Sequence, residues 1–152
     1  MENYDSVNAR TNEVRLGHGK LKWAMFYCCS WLRNNGSTDK QRNILKTFEG
    51  ATLEFGFASV MYLDSREGTM FGQLLSQGKT FRDAFYQAAD KYQRQRTDGD
   101  SIARIVGYKS ARFDSLNSYY PCRPQNQWYL NAPYLYDVLD NWVIPHNGQP
   151  IP

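Results

Sequence analysis

The chain has 152 residues, with 18 Lys and Arg against 15 Asp and Glu, a net charge of +3 and a hydrophobic content of 41%. That length supports one domain with its own core and excludes a multidomain machine. So small a charge excess excludes a partner recognised by charge alone, nucleic acid above all, and no apolar run approaches the roughly 18 to 20 residues that span a bilayer.

Residues 1–13 are polar and aperiodic, which predicts a flexible arm ahead of a domain over 14–113. Residues 21–29 (LKWAMFYCC) are nearly all apolar and lack Gly and Pro, as expected of a central strand covered on both faces, with 17–20 as the turn before it. A loop follows, ending in the helix-capping candidates Ser37 and Thr38. Ile44, Leu45 and Phe48 then recur at helical spacing up to a stop at Gly50. Residues 52–63 (TLEFGFASVMYL) predict a second buried strand, in which Gly56 marks a close backbone approach or a bulge and which ends at Asp64-Ser65-Arg66.

Residues 68–77 predict a helix with Phe71, Leu74 and Leu75 on one face and Gly78 as a left-handed cap. Thr80 and Asp83 have capping-box spacing, and Phe81, Ala84, Phe85, Ala88 and Tyr92 form the apolar stripe of the next helix. Residues 102–109 (IARIVGYK) are a third strand candidate. From 114 to 152 the chain is rich in Pro and aromatics. Only 134–142 (YLYDVLDNW) reads as a short helix, and the tail is expected to pack over the sheet. Strands alternating with helices predict parallel crossovers. The expected fold class is α/β, a three-layer sandwich with a mainly parallel sheet.

Three Cys, two of them adjacent, rule out an even disulfide framework. Reduced thiols follow, and with no signal-peptide block in residues 1–10 a cytoplasmic, membrane-free protein is expected. No zinc-ligand spacing, phosphate loop or calcium loop is present, so no metal and no cofactor are expected. In open α/β sheets ligands gather outside the carboxyl ends of the strands. Cys29 stands at that end of the first strand, a nucleophile candidate with the backbone N–H groups of residues 29 and 30 near it to hold an oxyanion, which makes Ser30 a substrate-side residue. The alternative is that Cys28 and Cys29 are small buried hydrophobes. Asp64, at the end of the second strand, could select a basic group or be a solvated loop carboxylate.

The strand 23–30, ending in Cys28-Cys29-Ser30, resembles the nucleophile strand of the caspase, legumain and gingipain group of cysteine peptidases. Gly56-Phe57-Ala58-Ser59, then Gly68, Phe71, Leu74 and Gly78, and a helix around Asp83-Ala84-Phe85 and Ala88, extend the similarity over about residues 20 to 110, most of all to a microbial family with a gingipain-like fold. The resemblance implies a caspase-like C-terminal half, with Cys29 as nucleophile and a His followed by Gly as its base. Gly17-His18-Gly19 offers that pair, but His18 and Cys29 are 11 residues apart across a predicted strand. At about 3.3 Å per residue this is roughly 30 to 36 Å, where catalysis needs about 3 Å or one bridging water. His146, in Pro145-His146-Asn147-Gly148, is the other imidazole, and nothing in the sequence brings it to the sheet.

The sequence therefore reads as a cysteine-peptidase-like domain acting on a peptide or protein, with Cys29 in place and His18 or His146 as unplaced bases. The alternative is a noncatalytic module that pairs with another copy or with a missing half-domain.

Overall fold

The structure is a computed structural model that describes residues 14–17, 21–118 and 136–152. A short parallel pair, β1 (Leu16–Gly17) with β3 (Phe48–Glu49), lies apart from a four-stranded sheet of β2 (Trp23–Phe26), β4 (Leu53–Phe57), β5 (Ser101–Tyr108) and β6 (Tyr136–Ile144) in that order. Helix α1 (Thr38–Leu45) links β2 to β3. Helices α2 (Ser65–Ser76) and α3 (Phe81–Gln93) link β4 to β5. The fold class is α/β, and no described helix is long and apolar enough to cross a membrane.

The sheet is mixed, which corrects the expectation of a mainly parallel one. Only β2 and β4 run parallel, while β4–β5 and β5–β6 are antiparallel. One crossover helix returns a chain to its starting edge and gives a parallel neighbour. The antiparallel pair α2–α3 reverses it once more, so β5 runs against β4.

β4 is buried along its whole length, as its apolar sequence requires. Side chains alternate between its faces. Phe55 and Phe57 face α2 and α3, with Phe55 within 6.5 Å, centroid to centroid, of Phe71, Phe81 and Phe85, and Phe57 5.6 Å from Phe85. Glu54 and Gly56 face the other way, toward Thr47 and Leu32. A Cβ on Gly56 would stand 3.1 Å from the Phe26 carbonyl oxygen, the close approach read from the sequence. The stripe expected on α3 is buried in full, and Thr80 caps that helix by accepting from the Asp83 N–H. Gly78, with φ +84°, ends α2 as expected.

Four elements differ from expectation. β2 spans only Trp23–Phe26 rather than 21–29 and is a half-buried strand at the edge of the sheet, not a central one. β4 stops at Phe57 rather than running to residue 63, because the next backbone groups are claimed by distant side chains: Arg96 donates to the Val60 carbonyl, and Gln93 bonds both the N–H and the carbonyl of Tyr62. Helix α2 begins at Ser65, since Asp64 is its N-cap, with a side chain accepting from the Arg66 N–H. The helix expected over 134–142 is instead strand β6, paired with β5 from Ser101↔Ile144 to Tyr108↔Tyr136. The free edge of β5 offers a ladder of backbone partners. Val138, Trp142, Val143 and Ile144 are the β-branched and aromatic residues that suit a strand, so tertiary pairing overrides the local helical reading. The tail thus extends the sheet edge with β6 instead of only covering a face. Residues 1–13 and 119–135 lie outside the described residues, as do His18 and Cys122.

Candidate active site

Because β2 and β4 are parallel, their carboxyl ends open on the same edge of the sheet. Past Phe26 the chain turns through Tyr27, Cys28, Cys29 and Ser30. Ser30 takes a left-handed φ of +59°, a conformation that costs a non-glycine residue about 1 kcal/mol or more. Both thiols on this corner are exposed, so the buried-hydrophobe reading does not hold for either. Cys29 Sγ lies 3.9 Å from the Met61 carbonyl oxygen, on the loop that follows β4. Partial burial, and then the neighbouring Cys29, push the pKa of the Cys28 thiol above its ordinary value and so disfavour its thiolate.

After the corner the backbone runs beside the end of β4. The Ser30 N–H donates to the Ser59 carbonyl at 2.9 Å, and the Leu32 N–H to the Phe57 carbonyl at 3.1 Å. This alters the expected oxyanion hole, since the Ser30 N–H already has a backbone acceptor.

Behind the corner lies a buried polar network centred on Glu67, whose exposure is 0%. The Tyr27 hydroxyl lies 2.8 Å from Glu67 Oε2 and 2.9 Å from the Asp64 carbonyl oxygen. Gln93 Nε2 donates to the same Glu67 oxygen at 2.5 Å and to the Tyr62 carbonyl at 2.9 Å. Its Oε1 accepts from the Tyr62 N–H and from the Ser101 hydroxyl. One carboxyl therefore ties together Tyr27, two residues before Cys29, and Tyr62, next to Met61. Burial pushes Glu67 up to about 7, and its Oε1 has no hydrogen-bond partner among the described residues. A neutral carboxylic acid at that depth avoids the cost of a buried charge.

A second buried acid, Glu54, accepts from the Thr47 hydroxyl and is likewise pushed up to about 7 by burial. Trp31 Nε1 stands near it without hydrogen-bond geometry, so that N–H and Glu54 Oε2 are both buried without a partner among the described residues.

Asp64 meets a cation of its own chain. Its carboxylate accepts from Arg66 Nη2 at 2.8 Å and from Gln95 Nε2 at 3.0 Å, and the Arg66 bonds hold it well below the usual carboxylate range. His146, the one imidazole among the described residues, is held on Asp100, with Nδ1 2.7 Å and its backbone N–H 3.1 Å from Oδ1. It follows β6, and two strands, β4 and β5, stand between β6 and the β2 end that carries Cys29. No hydrogen bond joins the two. Among the described residues no three His, Cys, Asp or Glu side chains gather as a metal ion would need.

The expected site residues thus fall into three places: Cys29 and Ser30 on the corner, Asp64 capping α2, and His146 on the Asp100 loop. Sequence reasoning missed Glu67, Tyr27 and Gln93. Glu67 gives no signal in an ordinary amphipathic helix, whereas Glu54 stands out as one carboxylate inside the apolar run TLEFGFASV.

The model of one protein family, described as "Domain of unknown function (DUF6345)", matches residues 1–127. No curated protein and no solved structure matches the chain.

Proposed function

Given that this chain belongs to the DUF6345 family, we propose that it is a cysteine-peptidase-like domain, with a caspase-like, three-layer arrangement, that presents Cys29 at the nucleophile position but has no imidazole placed to act as its base among the described residues. The observation that carries this reading is the placement of Cys29: an exposed thiol just past the carboxyl end of β2, beside the loop that follows the parallel strand β4. Thr47 and Leu32 on one face of β4, with α2 and α3 on the other, support the three-layer arrangement. Thiol acyl transfer needs a thiolate aimed at a carbonyl, a base within hydrogen-bond reach and donors for the oxyanion. The first element has a candidate here. The second is lacking among the described residues, and the third is weakened because Ser59 occupies the Ser30 N–H.

Activated peptide esters assayed with the parent chain and with Cys29→Ala test this. No turnover above the Cys29→Ala background is expected from the isolated chain. Turnover that disappears in Cys29→Ala would show a working base and overturn the reading. A noncatalytic association module is the second reading, supported by the place of β2 at one edge of the sheet.

A further inference from the structure

A cleft of about 490 Å³, within the range of small-molecule sites, opens on the same edge of the sheet but is not lined by Cys29. Its walls are the turn that carries Arg33, Asn35 and Gly36 and the loop that carries Asp98 and Asp100, with Ser59 and Arg104 between them. The charges in it do not cancel. Asp98 is paired with Arg96 at 2.9 Å, and Asp100 with His146 at 2.7 Å. Arg104 and Arg33 also line the cleft, and neither has a carboxylate partner among the described residues.

Arg104 is held in a fixed pose. It sits on β5 opposite Gly56 and reaches across β4 to the backbone of Leu32. Its Nη1 donates to the Leu32 carbonyl at 2.7 Å and its Nε to Asn141 Oδ1 at 2.6 Å. Nη2 has no acceptor among the described residues. Burial disfavours this cation. A half-buried guanidinium that is oriented by two neutral acceptors but not neutralised is costly unless an anion completes it. The fork of an arginine suits a planar or tetrahedral oxyanion.

We propose that this cleft binds a small organic oxyanion, a carboxylate or a phosphate, through Arg104, with Arg33 at its rim. The inference does not depend on the thiol reading, since Cys29 lies outside the cleft.

The test is a nuclear magnetic resonance titration of the full chain with inorganic phosphate, with succinate and with the neutral succinamide. Saturable shifts at Arg104 Nε–H and at the amides of Gly36 and Ser59 are expected for at least one anion and not for succinamide. The anion that binds more tightly identifies phosphate or carboxylate as the chemistry preferred. Arg104→Gln should weaken binding roughly tenfold or more. Arg33→Gln, on the exposed rim and so without risk to the fold, should weaken it several-fold, and Arg42→Gln on α1 should leave it unchanged. Absence of saturable shifts with both anions would overturn the proposal, as would Arg33→Gln and a folded Arg104→Gln that both titrate like the parent.

Discussion

Replacing Gly107 with alanine is expected to remove a large part of the stability of the fold. Gly107 lies on β5 opposite Leu53 with φ +156°, a backbone state that residues with a Cβ rarely adopt. The added Cβ would run into the Thr52 carbonyl oxygen and come within 2.9 Å of Leu53 Cδ2 and 3.0 Å of Leu53 Cα. Two of those three atoms are backbone, at the first residue of β4 and the one before it, and cannot swing away. The Thr52 carbonyl is also the acceptor for the Tyr108 N–H at 2.9 Å, so the clash breaks a bond between β4 and β5 as well. Strain, clash and the lost bond together exceed about 4 kcal/mol, against a total stability of about 5 to 15 kcal/mol for a domain. Gly72→Ala is the matched control. A Cβ there meets nothing within 4 Å on helix α2, so the change should stabilise by up to about 1 kcal/mol. Urea unfolding followed by circular dichroism reads both, and a Gly107→Ala variant as stable as the parent would refute the β4–β5 register.

Stability is expected to fall as pH rises from about 4.5 to about 7. Glu54 and Glu67 are pushed by burial from an ordinary 4.5 to about 7. Between those limits the folded chain holds protons that the unfolded chain has released, so raising the pH favours unfolding. At about 1.4 kcal/mol per tenfold change in proton affinity, each carboxyl removes about 3 kcal/mol by the time it ionises in the fold. Asp64, lowered by its Arg66 bonds, and Asp140, lowered by Arg82 and Arg112 against the effect of its burial, act in the opposite sense. They stabilise above the ordinary carboxylate range and are lost as pH falls below it. Maximum stability therefore lies near pH 5, with Tm lower at pH 8 by on the order of 10 °C. Glu54→Gln with Glu67→Gln should flatten the slope and raise Tm at pH 8. A parent chain whose Tm rises steadily from pH 5 to pH 8 would show that both carboxyls are solvated.

What could be read from the residues was local. The α3 stripe, the Thr80 cap, the Gly78 stop and the burial of β4 all follow from spacing within a few positions. The rest depends on partners far away along the chain. The run 58–63 has strand composition, yet Arg96 and Gln93, more than 30 residues on, hold it as a loop. β6 looked helical because its hydrogen-bond partners belong to β5, between 28 and 43 residues away. The direction of β5 was open to inference, because two helices between strands reverse the outcome of one. Cys29, read as the end of the first strand, stands on an exposed turn three residues past it, while the Glu67 network behind it had no pattern to announce it.

Native-state alkylation mapped by mass spectrometry tests the central claim most directly: that Cys29 stands open at the sheet edge and draws on neither histidine of the chain. Iodoacetamide should modify Cys29 in the folded protein, at rates that His18→Ala and His146→Ala leave unchanged. A Cys29 that reacts only after unfolding, or one whose labelling slows tenfold in either variant, would contradict it.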